Sequence, residues 1–214
     1  MNILEYLNTR LGFTSRHRRV MDKPVPEWIN YFVCFGGITF TLFVALLLTG
    51  LLLSVHYDPT EEGAYRSIQR LHNIVPLGGL LRAVHHWAAN LMVVMVLLHM
   101  IRVFLSGSYK NPRELNWVAG TVLFVLTMAF GFTGYLLPWD QKAYWATVIG
   151  TNMIASMPLI GQPIASLVRG GIDVTGHTLL RFYSLHVLWF PALTIVFLWV
   201  HFHIIRRVGI SGRM

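Results

Sequence analysis

The chain has 214 residues, of which 55% are hydrophobic and only 12% charged, and its mean hydropathy is +0.56. A soluble domain carries about twice that charged fraction, so the composition excludes an ordinary soluble protein. The formal net charge of +8 would suggest nucleic acid in a soluble chain; in a membrane chain it points to cytoplasmic loops, where lysine and arginine collect.

The charges leave four gaps. No Asp, Glu, Lys or Arg occurs between Glu27 and Asp58, Arg82 and Arg102, Glu114 and Asp140, or Arg181 and Arg206. Each gap approaches or exceeds the roughly 20 residues a helix needs to cross a bilayer. They predict an all-α membrane protein, one domain over residues 1–214, with four transmembrane helices near 30–55, 82–104, 116–136 and 180–205. With the N-terminus inside, the inner segments hold eleven basic residues (Arg10, Arg16, Arg18, Arg19, Lys23, Arg102, Lys110, Arg113, Arg206, Arg207 and Arg213), against six outside (Arg66, Arg70, Arg82, Lys142, Arg169 and Arg181). This bias predicts both termini on the cytoplasmic or stromal (n) side and accounts for the basic charge without nucleic acid.

At the N-terminus, MNILEYLNTRLGF is weakly amphipathic and precedes a basic cluster. It reads as an interfacial helix at about 1–13 on the inner surface, with no signal-peptide pattern. Cys34 is the single cysteine, so no intrachain disulfide is possible. Taken alone it is expected to be a buried free thiol. The first span carries Gly36 and Gly50, fourteen residues apart, and is followed by an outer loop from His56 to Leu81.

The second span is closed by Arg82 and Arg102 and carries His85 and His99, also fourteen apart. Fourteen residues are close to four whole turns, with roughly 21 Å of rise. The two imidazoles therefore share a face, one near each end of the helix. Ionisable groups at membrane depth mark functional sites by default. An inner loop with a turn at Asn111-Pro112 leads to the third span, where Gly120 and Gly134 repeat the interval of fourteen, with Gly131 between them and Pro138 ending the helix.

The stretch 143–168 is also charge-free but contains Gly150, Asn152, Pro158, Gly161, Gln162 and Pro163. It predicts two short helices at the outer interface. A fifth span would also carry Arg206, Arg207 and Arg213 to the outside. The last span holds His186 and His201, fifteen apart, which is about 60° past four turns. His86 and His203 fall off these faces, by ~220° from His99 and ~200° from His201.

Topology then pairs the residues by depth. His85 and His186 form an outer layer with Gly50 and Gly134; His99 and His201 form an inner layer with Gly36 and Gly120. A flat macrocycle with central iron, held by two facing imidazoles, is the strongest candidate for each layer. Glycines would let the macrocycle edge approach the backbone, and helix bundles build cofactor sites in this way. Taken one at a time, an intramembrane histidine can be a hydrogen-bonded packing residue and a glycine pair a helix-packing face. The shared intervals on four helices favour two hemes. Their propionates need cations: Arg82 for the outer heme, with Arg102, Arg113, Arg206 and Arg207 available for the inner one.

Seven strings, FVCFGGITF, RAVHHWAAN, LLHMIRVF, YKNPRELNWV, GFTGYLLPWDQ, LLRFYSLHV and HFHIIRRVGISG, resemble the cytochrome b6 family, the heme-b subunit of b6f complexes and of related bacterial b6-type quinol:cytochrome c reductases. The likeness covers essentially the whole chain, and the interval of fifteen between His186 and His201 is a mark of the b6 type. It implies a subunit of a proton-translocating quinol:cytochrome c or plastocyanin oxidoreductase. Quinol is oxidised at the outer (p) face, and electrons pass through two b hemes to a quinone at the n side. It also implies that Cys34 holds an extra heme c by one thioether bond, with Arg206 near its propionates. The implied partners are subunit IV, a Rieske iron–sulfur protein and a cytochrome c-type subunit, in a dimer of multi-subunit protomers in a bacterial cytoplasmic or thylakoid membrane. Subunit IV carries a Pro-Glu-Trp-Tyr motif; Pro26-Glu27-Trp28-Ile29 here is on the inner side, ends in Ile, and is given no catalytic role. No acid or base catalyst is assigned. Two other readings compete: a diheme membrane anchor of a hydrogenase or formate dehydrogenase, against which Cys34 and GYLLPWDQ speak, and a four-helix transport or scaffolding protein with packing histidines.

Overall fold

The computed structural model describes residues 34–209. The helix expected at about 1–13, the first residues of the first span, the Pro26–Ile29 motif, and Arg10, Arg16, Arg18, Arg19, Lys23 and Arg213 lie outside the described residues.

Among the described residues the chain is helical, without strands. The elements are α1 (Phe35–Ser54), α2 (Ala64–Asn73), α3 (Gly78–Leu105), α4 (Glu114–Leu136), α5 (Gln141–Ala155), α6 (Gly161–Arg169), α7 (Gly176–Ser184), a π-helical segment (Leu185–Trp189) and α8 (Phe190–Val208). Four stretches are long and apolar enough to cross a membrane: α1, α3, α4, and α7 to α8 read as one run over Gly176–Val208. The stretch 143–168 forms two short helices, α5 and α6, as the prolines and glycines require. The loop from His56 to Leu81 is not wholly irregular; it contains α2, a ten-residue polar helix.

The second and fourth spans begin earlier than their charge-free windows. Helix α3 starts at Gly78 and the last span at Gly176, because backbone hydrogen bonding does not stop at a charged residue. Local chemistry sets several ends. Pro138 follows α4, Trp139 takes a left-handed φ of 50°, and Asp140 then caps α5 by accepting from the Ala143 N–H at 2.8 Å. Thr175 and Thr178 close a reciprocal capping box at the start of α7, and the Glu61 carboxylate accepts the Gly176 N–H.

The π segment has a cause in the sequence. Pro191 has no N–H, and its ring would clash with the carbonyl four residues back, at Val187. The helix widens through Leu185–Trp189 and takes in one extra residue. The 60° offset expected for His186 and His201 assumes a uniform helix, and the widening removes that assumption.

The spans associate chiefly as two pairs, α1 with α3 and α4 with α8. Each pair combines one glycine-bearing helix with one histidine-bearing helix. At one end, α2, α5 and α6 cap the bundle, and there a buried cluster of Ala64, Leu136, Leu179 and Phe182 is surrounded by Tyr57, Phe132, Leu137, Trp139 and Val168. Tyr57 donates to the Leu137 carbonyl at 2.6 Å and stacks on Tyr183; its burial raises the phenol's pKa, so it stays a donor. Arg169, 8% exposed, fastens α5 to α6 and the following turn through Thr151 Oγ1, Asn152 Oδ1 and the Ile172 carbonyl.

Candidate functional site

Both histidine pairs sit inside the bundle, one near each end of the spans. At the capped end the His85 and His186 rings lie 6.3 Å apart, centre to centre, at 61°. His99 and His201 lie toward the other end, on α3 and α8; His99 Nδ1 is buried with no hydrogen-bond partner among the described residues, whereas the His201 ring has the backbone of Asn116 as its partner.

Each imidazole rests against a glycine of its own helix pair. A Cβ built on Gly36 would stand 3.1 Å from His99 Cε1, on Gly50 3.2 Å from His85 Cε1, on Gly120 3.5 Å from His201 Cε1, and on Gly134 2.5 Å from His186 Cε1. Gly131 meets nothing within 4 Å. The four glycines thus make room first for the ring edge that carries Nδ1 and Cε1. A methyl at Gly134 would collide with the ring, whereas one at Gly120 would only touch it.

The capped-end rings have defined hydrogen-bond partners. His85 Nδ1 lies 2.9 Å from Thr49 Oγ1, and His186 Nδ1 lies 3.2 Å from Thr133 Oγ1. Each hydroxyl also donates its hydrogen to the carbonyl four residues earlier, Ala45 at 2.7 Å and Ala129 at 2.8 Å. Its lone pair therefore faces Nδ1, which carries the ring hydrogen, and Nε2 keeps a free lone pair. That tautomer is the one a metal-ligating imidazole needs.

A heme fits these residues. Two metal–imidazole bonds of about 2 Å each, extended to the ring centres, give about 6 Å, close to the His85–His186 separation of 6.3 Å. Among the described residues no group of three or more His, Cys, Asp or Glu could hold a bare metal ion. A two-imidazole site suits an iron whose other four positions are filled by a macrocycle.

The remaining candidates are placed as follows. Arg82 is exposed and lines a polar cavity of about 250 Å³ at the capped end, with His72, Gln69 and Asp140. Arg102 Nε is buried without a partner, as is Asn116 Oδ1. Arg113 Nε donates to the Gly209 carbonyl at 3.3 Å, which joins the start of α4 to the end of α8. Arg206 and Arg207 are exposed in the last turn of α8. Cys34 directly precedes α1 and is a free, exposed thiol, which corrects the expectation of a buried one. His86 is exposed and accepts at its carbonyl from Asn90, and His203 stacks on Trp199, so neither joins a pair.

Two features escape sequence reasoning. The threonines beside Gly50 and Gly134 are one, since threonine is common in these spans. The other is an open-sided apolar cavity of about 410 Å³ at the capped end, lined by Phe132, Gly150, Met153, Ile154 and Met157. Gly150 belongs there, because a Cβ on it would come 2.7 Å from the Phe132 ring.

The chain is similar to known proteins over nearly its whole length. The family model described as Cytochrome b/b6/petB matches residues 20–209. Cytochrome b6 of Heliomicrobium gestii is 48% identical over 99% of this chain and 100% of its own length. Cytochrome b6 of Heliobacterium mobile is 46% identical over the same shares, and that of Auxenochlorella protothecoides 46% identical over 98% of each. A chain in the solved structure titled "Hyperthermophilic respiratory Complex III" superposes with a TM-score of 0.90 at 28% identity, over 98% of this chain and 56% of that longer one. With four apolar spans and matches of this extent, the chain belongs to the cytochrome b/b6 family, as a multi-pass integral membrane protein of a bacterial or thylakoid membrane.

Proposed function

We propose that this chain is the electron-transfer subunit of a quinol:cytochrome c or plastocyanin oxidoreductase that couples electron flow to proton translocation. The observation that carries the reading is the repeated unit of paired histidines, each set against a glycine of its partner helix, at two depths of one bundle.

In this reading His85 and His186 hold the heme b at the capped end and His99 and His201 the heme b at the other. When bound, the hemes supply one-electron redox chemistry at both membrane depths. The residues of the chain bind and orient. Glycines admit the ligand rings, hydroxyls hold the capped-end tautomers, and Arg82 and Arg102 supply positive charge for propionates, with Arg113 and Arg206 as further candidates. The capped end corresponds to the p side by the distribution of lysine and arginine. Its apolar cavity suits a quinol ring, and its open side suits completion by a second subunit. Subunit IV, a Rieske iron–sulfur protein and a cytochrome c-type subunit complete the complex, in a dimer of protomers. Cys34, exposed at the start of α1, is the attachment point of a third heme, of c type, beside a quinone site at the n side.

Two measurements on the isolated complex test this reading. A reduced-minus-oxidised spectrum is expected to contain two b-type α-bands; no heme signal would sink the proposal. Heme staining after denaturing electrophoresis is expected to label this chain and to disappear in Cys34→Ser. Two α-bands without any covalent stain would favour the diheme-anchor reading.

A further inference from the structure

The two layers differ in one respect beyond their depth. In the capped-end layer each glycine follows a threonine, Thr49-Gly50 and Thr133-Gly134; in the other layer the corresponding pairs are Phe35-Gly36 and Ala119-Gly120. The consequence is visible at the rings. Both capped-end Nδ1 atoms meet a hydroxyl, at 2.9 and 3.2 Å, while neither ring of the other layer does: His99 Nδ1 is buried with no hydrogen-bond partner among the described residues, and His201 has only the backbone of Asn116.

A threonine bonded back to its own helix is no evidence by itself. Thr39, Thr41, Thr121, Thr127, Thr147 and Thr151 all do the same. Thr49 and Thr133 differ in making a second contact, to a ring nitrogen on another helix, and both are buried, at 8% and 4% exposure. Their lone pairs are directed by the hydrogen bonds they donate to Ala45 and Ala129.

We propose that Thr49 and Thr133 are positioning residues that tune the capped-end heme to a lower midpoint potential than their absence would give. An acceptor on Nδ1–H increases the electron donation of Nε2 to its metal. Stronger donation stabilises ferric over ferrous iron, so the one-electron reduction becomes less favourable. The effect is confined to one layer, because Phe35 and Ala119 offer no hydroxyl. The inference rests on the bis-histidine reading above.

The test is a redox titration of both b hemes in the intact complex, wild type against Thr49→Val and Thr133→Val, which keep the side-chain shape and remove the acceptor. A hydrogen bond of ordinary net strength corresponds to about a two- to tenfold shift in the ferrous-to-ferric ratio at fixed potential, and tenfold is 59 mV for one electron. The capped-end heme is expected to rise in potential by an amount in that range while the other heme stays put. Thr49→Ser and Thr133→Ser are expected to restore the wild-type value. An unchanged capped-end potential, or equal movement of both hemes, overturns the proposal. If the valine variants lose the heme, Phe35→Thr decides: it places a hydroxyl before Gly36, beside the unpartnered Nδ1 of His99, and the potential of the His99–His201 heme must fall. No movement there overturns the proposal as well. Absence of two b-type bands in the wild type would instead overturn the heme reading itself.

Discussion

At the scale of single residues, the four glycines make a graded prediction. Gly134→Ala puts a methyl 2.5 Å from His186 Cε1, whereas Gly120→Ala puts one 3.5 Å from His201 Cε1. The first distance requires the ring or the helix to move; the second is ordinary contact. Overpacking of this kind costs about 1–3 kcal/mol, and here the displaced group is a proposed metal ligand. Gly134→Ala is expected to bleach the b-type α-band of the His85–His186 pair and leave the other, while Gly120→Ala retains both. Loss of the wrong band, or equal tolerance at the two sites, contradicts the pairing. The depth of each residue is legible in the sequence, because intervals of fourteen return to nearly the same helix face. The partner of each glycine is not legible. Spacing alone cannot distinguish room made for a macrocycle from room made for an imidazole, and only the backbone places the ring edge over the glycine. Thr49 and Thr133 are hidden for a related reason: six other threonines among the described residues bond back to their own helices without meeting a ring nitrogen.

At the scale of the element, the last span is not one uniform helix. The interval of fifteen between His186 and His201 conflicts with the fourteen of α3 only if every residue turns by the same angle. The π segment Leu185–Trp189, next to Pro191, holds the surplus residue. Deleting Val187 together with Pro191→Ala, which removes the ring that widens the helix, is therefore expected to convert the segment to ordinary α-helix, shorten the interval to fourteen and retain both hemes. Inserting one alanine at the same place leaves no second bulge to hold it, turns His186 by ~100° relative to His201, and is expected to remove one heme. Optical difference spectra of the two variants check this, and heme loss in the deletion variant would contradict it. The clue was present in the sequence, as a proline five residues after a histidine whose phase was off. Helix α2 gave a weaker clue. It is short and polar within a loop marked by prolines and carboxylates, and its existence depends on packing Ala64 and Leu71 into the capped end. The two short helices α5 and α6 were legible because Pro158, Gly161 and Pro163 interrupt an otherwise apolar run.

At the scale of the whole molecule, the spans bury little of themselves: within each candidate span's most apolar window, between 6% and 17% of residues are buried. Lipid can cover much of the rest, but the inward faces of α3 and α8 carry buried histidines, and at one end His99 Nδ1 lacks a partner among the described residues. The capped end has its own buried cluster and its own ties, Tyr57 to Leu137 and Arg169 across α5 and α6. The opposite end has the Arg113–Gly209 bond and a Phe104–Tyr109 stack with Trp117 tilted against it, with no comparable buried cluster among the described residues. A ligand that binds only the folded chain adds its binding free energy to stability, and it adds most where the protein supplies least. Heme depletion during expression is therefore expected to act unevenly. Hydrogen exchange on the detergent-solubilised heme-free chain should stay slow around Leu136, Leu179 and Phe182, where burial is complete without a cofactor. It should become fast around His99 to Leu105 and His201 to Val208. In the holoprotein both regions should be protected. Uniform loosening of the heme-free chain would mean that the capped end also depends on its heme, and protection at both ends would mean that helix packing alone closes the bundle.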